Sequence, residues 1–187
     1  MMRLGIAIAA ALLTFCLSAN AQTVVKSEDG NMQLTLPNGW KEAKLVGPNS
    51  KIRANDGHGG MVVVTAFPKE DFKDFKAFAN FSDEKLKKTL PDAEPKAENV
   101  QVDGKPALRT TVSGTEESGR NVTFIATHID AGSLYVTVLV RASASDYGRQ
   151  QQALMGLADQ LKITAAAPPP PPPPPAQAPA AKPPGKR

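Results

Sequence analysis

One cysteine, two histidines and one tryptophan are all that 187 residues supply. The cysteine, Cys16, sits in an apolar stretch at the N-terminus. If that stretch is removed, the remainder has no thiol for a disulfide, a nucleophile or a thiolate metal site. A fold built from it must hold by packing alone, which a domain of ordinary size can do. His58 and His128 are too few for a histidine-rich metal cluster, and no His-x-x-x-His pair or Glu-rich run joins them. No G-x-S-x-G elbow marks a serine hydrolase, and "GHGG" lacks the spacing of a phosphate loop. No cofactor is expected. Apolar runs are short as well, and none reaches the roughly 20 residues of a membrane span.

The two ends differ from the middle. "MMRLGIAIAAALLTFCLSANAQT" places Arg3 before an apolar run from Leu4 to Leu17, followed by Ala19-Asn20-Ala21. That order is a secretory signal peptide, residues 1–21, with cleavage expected after Ala21. Cys16 raises the alternative of a lipoprotein signal, but bulky Phe15 stands where that signal has a small residue. The protein is therefore expected to be periplasmic or secreted, with no transmembrane span after cleavage.

At the other end, residues 165–187 are rich in proline, with eight consecutive prolines from Pro168 to Pro175. Proline fixes φ and removes the donor, so such a run adopts polyproline II and spaces its ends by about 25 Å. Lys182, Lys186 and Arg187 follow without an acid. No large apolar residue is present to build a core, so a disordered, basic tail is expected. Its cations are candidate contacts for an anionic envelope surface or an acidic partner. With Arg3 they account for the whole formal charge of +4. The middle of the chain is neutral, which gives no support for nucleic-acid binding.

Residues 22–164 are expected to form a single domain. "MQLTL" alternates with period two and is closed by Pro37-Asn38-Gly39; Trp40 then reads as a core anchor. "KIRAND" is a short strand, and "MVVVTAF" is a continuous β-branched run of interior-strand type. Phe72, Phe75, Phe78 and Ala79 recur at helical spacing, and Ser82 is placed to cap a second helix carrying Leu86 and Leu90. Three antiparallel strands are expected next: Ala107–Val112, Val122–Ile129 and Leu134–Val140. Asp103-Gly104 is a hairpin signal before them. A last helix starts at Ser145-Asp146 and presents Leu154, Leu157, Ala158 and Leu161 on one face. Helices segregated from runs of strands give an α+β fold.

"MQLTLPNGW", "MVVVTAFPKEDFKDF", "VDGKPALRTTV" and "LYVTVLV", with a helix after them, together resemble the PsbP/DcrB-like superfamily of exported bacterial proteins and photosynthetic accessory subunits. The resemblance spans residues 23–163. It implies an antiparallel sheet flanked by helices. It also implies binding, assembly or stabilising roles rather than a shared chemistry.

The function expected is that of a non-enzymatic accessory or binding protein of the cell envelope, its partner unknown and its tail a tether. The alternative is a small-ligand or metal binder using the sheet face of His128, Asp130 and Tyr135. His128 and Asp130 are two apart on a strand and so share a face. Two ligands do not make a metal site, and an exposed pair with no further role is the plainer reading. A hydrolase is the weakest reading, since no nucleophile with a partnered base is recognisable.

Overall fold

The computed structural model describes residues 22–164. The expected signal peptide and the Pro-rich tail, with Lys182, Lys186 and Arg187, lie outside the described residues.

The chain first builds a small hairpin, β1 (Thr23–Lys26) and β2 (Met32–Leu36). Met32, Leu34 and Leu36 are buried, as period-two alternation dictates. Pro37 ends β2, and Gly39 takes the positive φ that lets the Trp40 amide donate back to the Pro37 carbonyl. Trp40 is buried in the main core. The short β3 (Lys41–Glu42) leads to β4 (Ser50–Asn55) and β5 (Met61–Pro68).

A single helix follows, α1 (Phe75–Thr89), where two were expected. Nothing between Phe75 and Thr89 breaks a helix, so Ser82 lies inside it rather than capping a second one. The cap is Asp74, whose carboxylate accepts from the Ala77 amide at 2.8 Å. Pro91, just past the Leu90 C-cap, bars continuation.

The meander has four strands, one more than expected: β6 (Lys96–Val102), β7 (Lys105–Thr115), β8 (Asn121–Ala131) and β9 (Leu134–Ser143). Asp103 and Gly104 both have positive φ, 51° and 72°, and join β6 to β7 in a two-residue hairpin. The first four residues of β6 are exposed and only Val100 and Val102 alternate towards the core, so apart from the Asp103-Gly104 turn its strand character is faint in the sequence.

The expected C-terminal helix divides. Helix α2 (Ala144–Met155) is capped by the Ser143 hydroxyl, which accepts from the Asp146 amide. A 3-10 turn (Ala158–Gln160) and the short β10 (Leu161–Ile163) complete the described chain. Leu161 therefore lies in a strand, paired with Leu34 of β2.

All pairings are antiparallel. Seven strands run in the order β3-β4-β5-β9-β8-β7-β6, and three in the order β1-β2-β10. The large sheet is covered on one face by the small sheet and α2. Val62, Val64, Val136, Val138 and Val140 meet Leu34, Leu36, Leu154, Leu157 and Leu161 in the main core there. Helix α1 lies on the other face, where Leu86 and Leu90 pack on Val112, Val122, Phe124 and Ala126. This is an α+β fold.

Candidate functional site

The face beneath α1 is assembled by register. Asp130 of β8 stands opposite Tyr135 of β9, and His128 opposite Thr137. The three residues singled out in the sequence thus share one face of the sheet. They do not form an open patch. His128 is 0% exposed and lies under α1, with the Phe78 ring against its edge. Tyr135 is buried and stacked on Phe78, ring centroids 5.1 Å apart. Asp130 is ion-paired to Lys69, whose ammonium also sits 5.0 Å from the Tyr135 ring. The exposed His128–Asp130 pair is therefore corrected. Helix α1 covers the histidine, and the aspartate has its own cation.

His128 instead anchors a buried polar chain. An imidazole carrying its proton on Nε2 donates to Asp83 Oδ1 of α1 at 3.0 Å. Its Nδ1 then accepts from the Thr137 hydroxyl, also at 3.0 Å. Asp83 Oδ2 accepts in turn from the Thr110 hydroxyl at 3.2 Å. With that tautomer both ring nitrogens and both carboxylate oxygens are partnered, as buried polar groups require. Threonine, histidine and aspartate in sequence resemble a nucleophile–base–orienter relay. What such a relay needs besides is a pair of free N–H donors for the oxyanion. Thr137 is in β9, an interior strand whose backbone is paired with β5 on one side and β8 on the other. Those amides are committed to the ladders. The chain holds α1 on the sheet. Asp83 could not be found from the sequence, because it reaches His128 across 45 positions. The burial of His128 did have a signal. "VTFIATHI" is apolar at both parities, as in a strand covered on both faces.

Beside this chain the face is open. Helix α1 crosses β7, β8 and β9 and leaves β5 and β4 partly bare. A groove of about 380 Å³ runs between the helix and that half of the sheet. Its floor is Met61, Val63 and Thr65 of β5 with Thr137 and Leu139 of β9; Phe81 and Leu86 of α1 form one wall. Val46, 67% exposed, stands on the far side, and Phe81 is 39% exposed. Arg53 and Lys85 are the charged residues lining it, and no carboxylate does. The Arg53 guanidinium donates to the Lys44 carbonyl at 3.1 Å, and the Lys85 ammonium lies 4.1 Å from the Phe81 ring. The sequence reading missed this groove. Its signal was "MVVVTAF" itself, a strand apolar on both faces, for which the sequence supplies only one complete cover.

Among the described residues, no three His, Cys, Asp or Glu side chains gather as a metal-holding group. No helix among them is long and apolar enough to cross a membrane.

No family model matches this chain, and no curated protein does. Solved structures do. The solution structure of cyanobacterial PsbP (CyanoP) from Synechocystis sp. PCC 6803 superposes with a TM-score of 0.58 at 14% identity, over 79% of this chain and 95% of that one. The fold is PsbP-like. Protein Mog1, in a point-mutant form, gives 0.57 at 14% identity over 76% of this chain and 96% of that one. LpqN of Mycobacterium tuberculosis, described as involved in cell envelope biogenesis, gives 0.50 at 13% identity over 79% and 87%. The PsbP resemblance read from the strand and turn motifs thus holds at the level of fold. At such identity the PsbP-like domain brings no residue roles with it.

Proposed function

We propose that this protein is a non-enzymatic accessory or binding protein of the cell envelope. It is exported by its N-terminal leader, works through the PsbP-like domain and uses its Pro-rich tail as a tether. The observation that carries the reading is the open apolar groove between α1 and the β4–β5 half of the sheet. A domain that buries its other apolar faces and leaves this one half-covered has a surface for a partner or ligand. LpqN, which shares the fold, is described as acting in envelope biogenesis, and this supports the compartment. The tail would act by reach, its eight-proline spacer of about 25 Å standing between the domain and the cations Lys182, Lys186 and Arg187.

The test is site-specific photo-crosslinking in cells. A crosslinker at position 46 or 81 is expected to trap a discrete envelope component, and one at exposed Glu117, away from the groove, is not. Equal labelling at all three positions, or none, would overturn the reading. A chain ending at Thr164 tests the tether: its adducts at 46 and 81 are expected to weaken but keep their identity.

A further inference from the structure

We infer that the groove takes the alkyl chain of a single-chain carboxylate of fatty-acid type, with Arg53 and Lys85 holding the anionic head at its rim. This rests on the groove being the protein's binding surface and goes on to name the ligand class.

Three observations lead there. The first is the floor. Strand β5 is interior and carries Met61, Val63 and Phe67 on the α1 side, all half-buried, while Val62, Val64 and Ala66 on its other side are buried. Phe67 packs on Phe78 and Phe81 of α1 and closes one end, while Met61 and Val63 face the open trough and match a hydrocarbon occupant. Of the two threonines on the floor, Thr137 has its Oγ1 already bonded to His128. The second is the size. The trough, at about 380 Å³, lies at the small end of ligand sites, which run from about 300 to 1,000 Å³. One unbranched chain fits that volume better than a two-chain lipid does. The third is charge. Arg53 and Lys85 line the groove without a carboxylate, and neither is in an ion pair among the described residues. Low-dielectric walls beside two cations favour an anion over a neutral or cationic head. The Arg53 guanidinium donates from Nη1 to the Lys44 carbonyl and, more weakly, from Nη2 to Met61 Sδ, with donors left for a carboxylate.

The experiment is calorimetric titration of the full mature chain with sodium laurate below its micellar concentration. Hexanoate, octanoate and decanoate are run in parallel, with dodecyl maltoside, dodecyltrimethylammonium and anionic vesicles as comparators. The expected result is saturable one-site binding of laurate, with affinity rising about fourfold per added methylene along the series. Laurate should exceed both comparator heads by about tenfold. Arg53→Gln with Lys85→Gln should abolish that preference while leaving the chain-length trend. Phe81→Asp charges a wall residue that also packs on the Phe67 and Phe72 rings, so its fold is first verified by circular dichroism; folded, it should cut laurate binding at least tenfold. No saturable laurate binding by the folded wild type overturns the inference. So does unchanged affinity in folded Phe81→Asp, or binding to vesicles alone, which would mean a membrane-surface contact. The failures are distinguishable. Crosslinks from positions 46 and 81 to a protein, with no laurate binding or competition, would leave a binding module whose ligand is a polypeptide. Laurate binding without any envelope adduct would leave the ligand class standing and remove the partner.

Discussion

At the scale of single residues, the most demanding position is His128. It is wholly enclosed, and both ring nitrogens are engaged by Asp83 and Thr137. Asp83→Ala strips the acceptor from Nε2 and from the Thr110 hydroxyl at once, so a cost of about 2–3 kcal/mol is expected in urea denaturation. Asp83→Asn keeps an oxygen for Nε2, and the Thr110 hydroxyl can turn to accept from the amide; it should cost about 1 kcal/mol or less. Equal losses in the two variants would mean that the carboxylate's charge, not its acceptor geometry, holds α1. A second position is steric. A Cβ on Gly60 would lie 2.3 Å from Asp56 Oδ2 and 2.7 Å from its Cγ. That aspartate organises the loop by accepting from the His58 and Gly60 amides at 2.7 and 2.8 Å. Gly60→Ala must displace a short, engaged side chain, and a loss of about 1–3 kcal/mol is expected by the same measurement.

At the scale of elements, the C-terminal strand shows how far sequence reading reaches. Leu154, Leu157, Ala158 and Leu161 fit one helical face, and all four are buried. The burial was therefore legible. The break was not, because β2 accepts β10 as its second neighbour only once the small sheet exists. The two-helix reading failed at Ser82 for a local reason: the chain is already helical from the Asp74 N-cap eight residues earlier, and nothing breaks it there. What secures β10 is Asp103, in the β6–β7 hairpin. Its Oδ2 accepts from the Ile163 amide at 3.1 Å, and Lys162 and Lys105 flank it. That hydrogen bond, with its two lysines, lowers its pKa from 3.8 to about 2. A depressed carboxylate contributes stability that is fully present above the unfolded value near 3.8 and is lost as pH falls through about 2. Asp103→Asn keeps the left-handed turn, for which asparagine is suited, and removes the charge. The variant is expected to be less stable than wild type at pH 7 and equal to it below about pH 2, with Ile163 amide exchange faster at neutral pH. A wild-type advantage that persists unchanged below that pH would show that the carboxylate's ionisation is irrelevant to β10.

At the scale of the whole molecule, the large sheet has one face closed by the small sheet and α2, and one face half-closed by α1. Each residue of the groove could be read from the sequence as apolar or polar, but no local pattern says which face of β5 a helix will fail to reach. That depends on α1 lying over β7, β8 and β9, where Leu86 and Leu90 find Val112, Val122 and Phe124. The open trough couples ligand to stability, because an occupant that binds only the folded chain raises its unfolding free energy by mass action. At about one hundred times its dissociation constant, laurate should contribute about 2.7 kcal/mol. For a domain spanning residues 22–164 that is a rise in Tm of about 9 °C, from the usual unfolding entropy per residue. The groove is lined by residues between Val46 and Leu139, so the shift should be the same in a chain ending at Thr164. At the same laurate concentration it should fall to about half or less in Phe81→Asp, where the wall is charged and binding is at least tenfold weaker. If instead the shift requires residues 165–187, the laurate contact belongs to Lys182, Lys186 and Arg187. The half-covered face of β5 would then be a surface for a polypeptide partner rather than for a lipid chain.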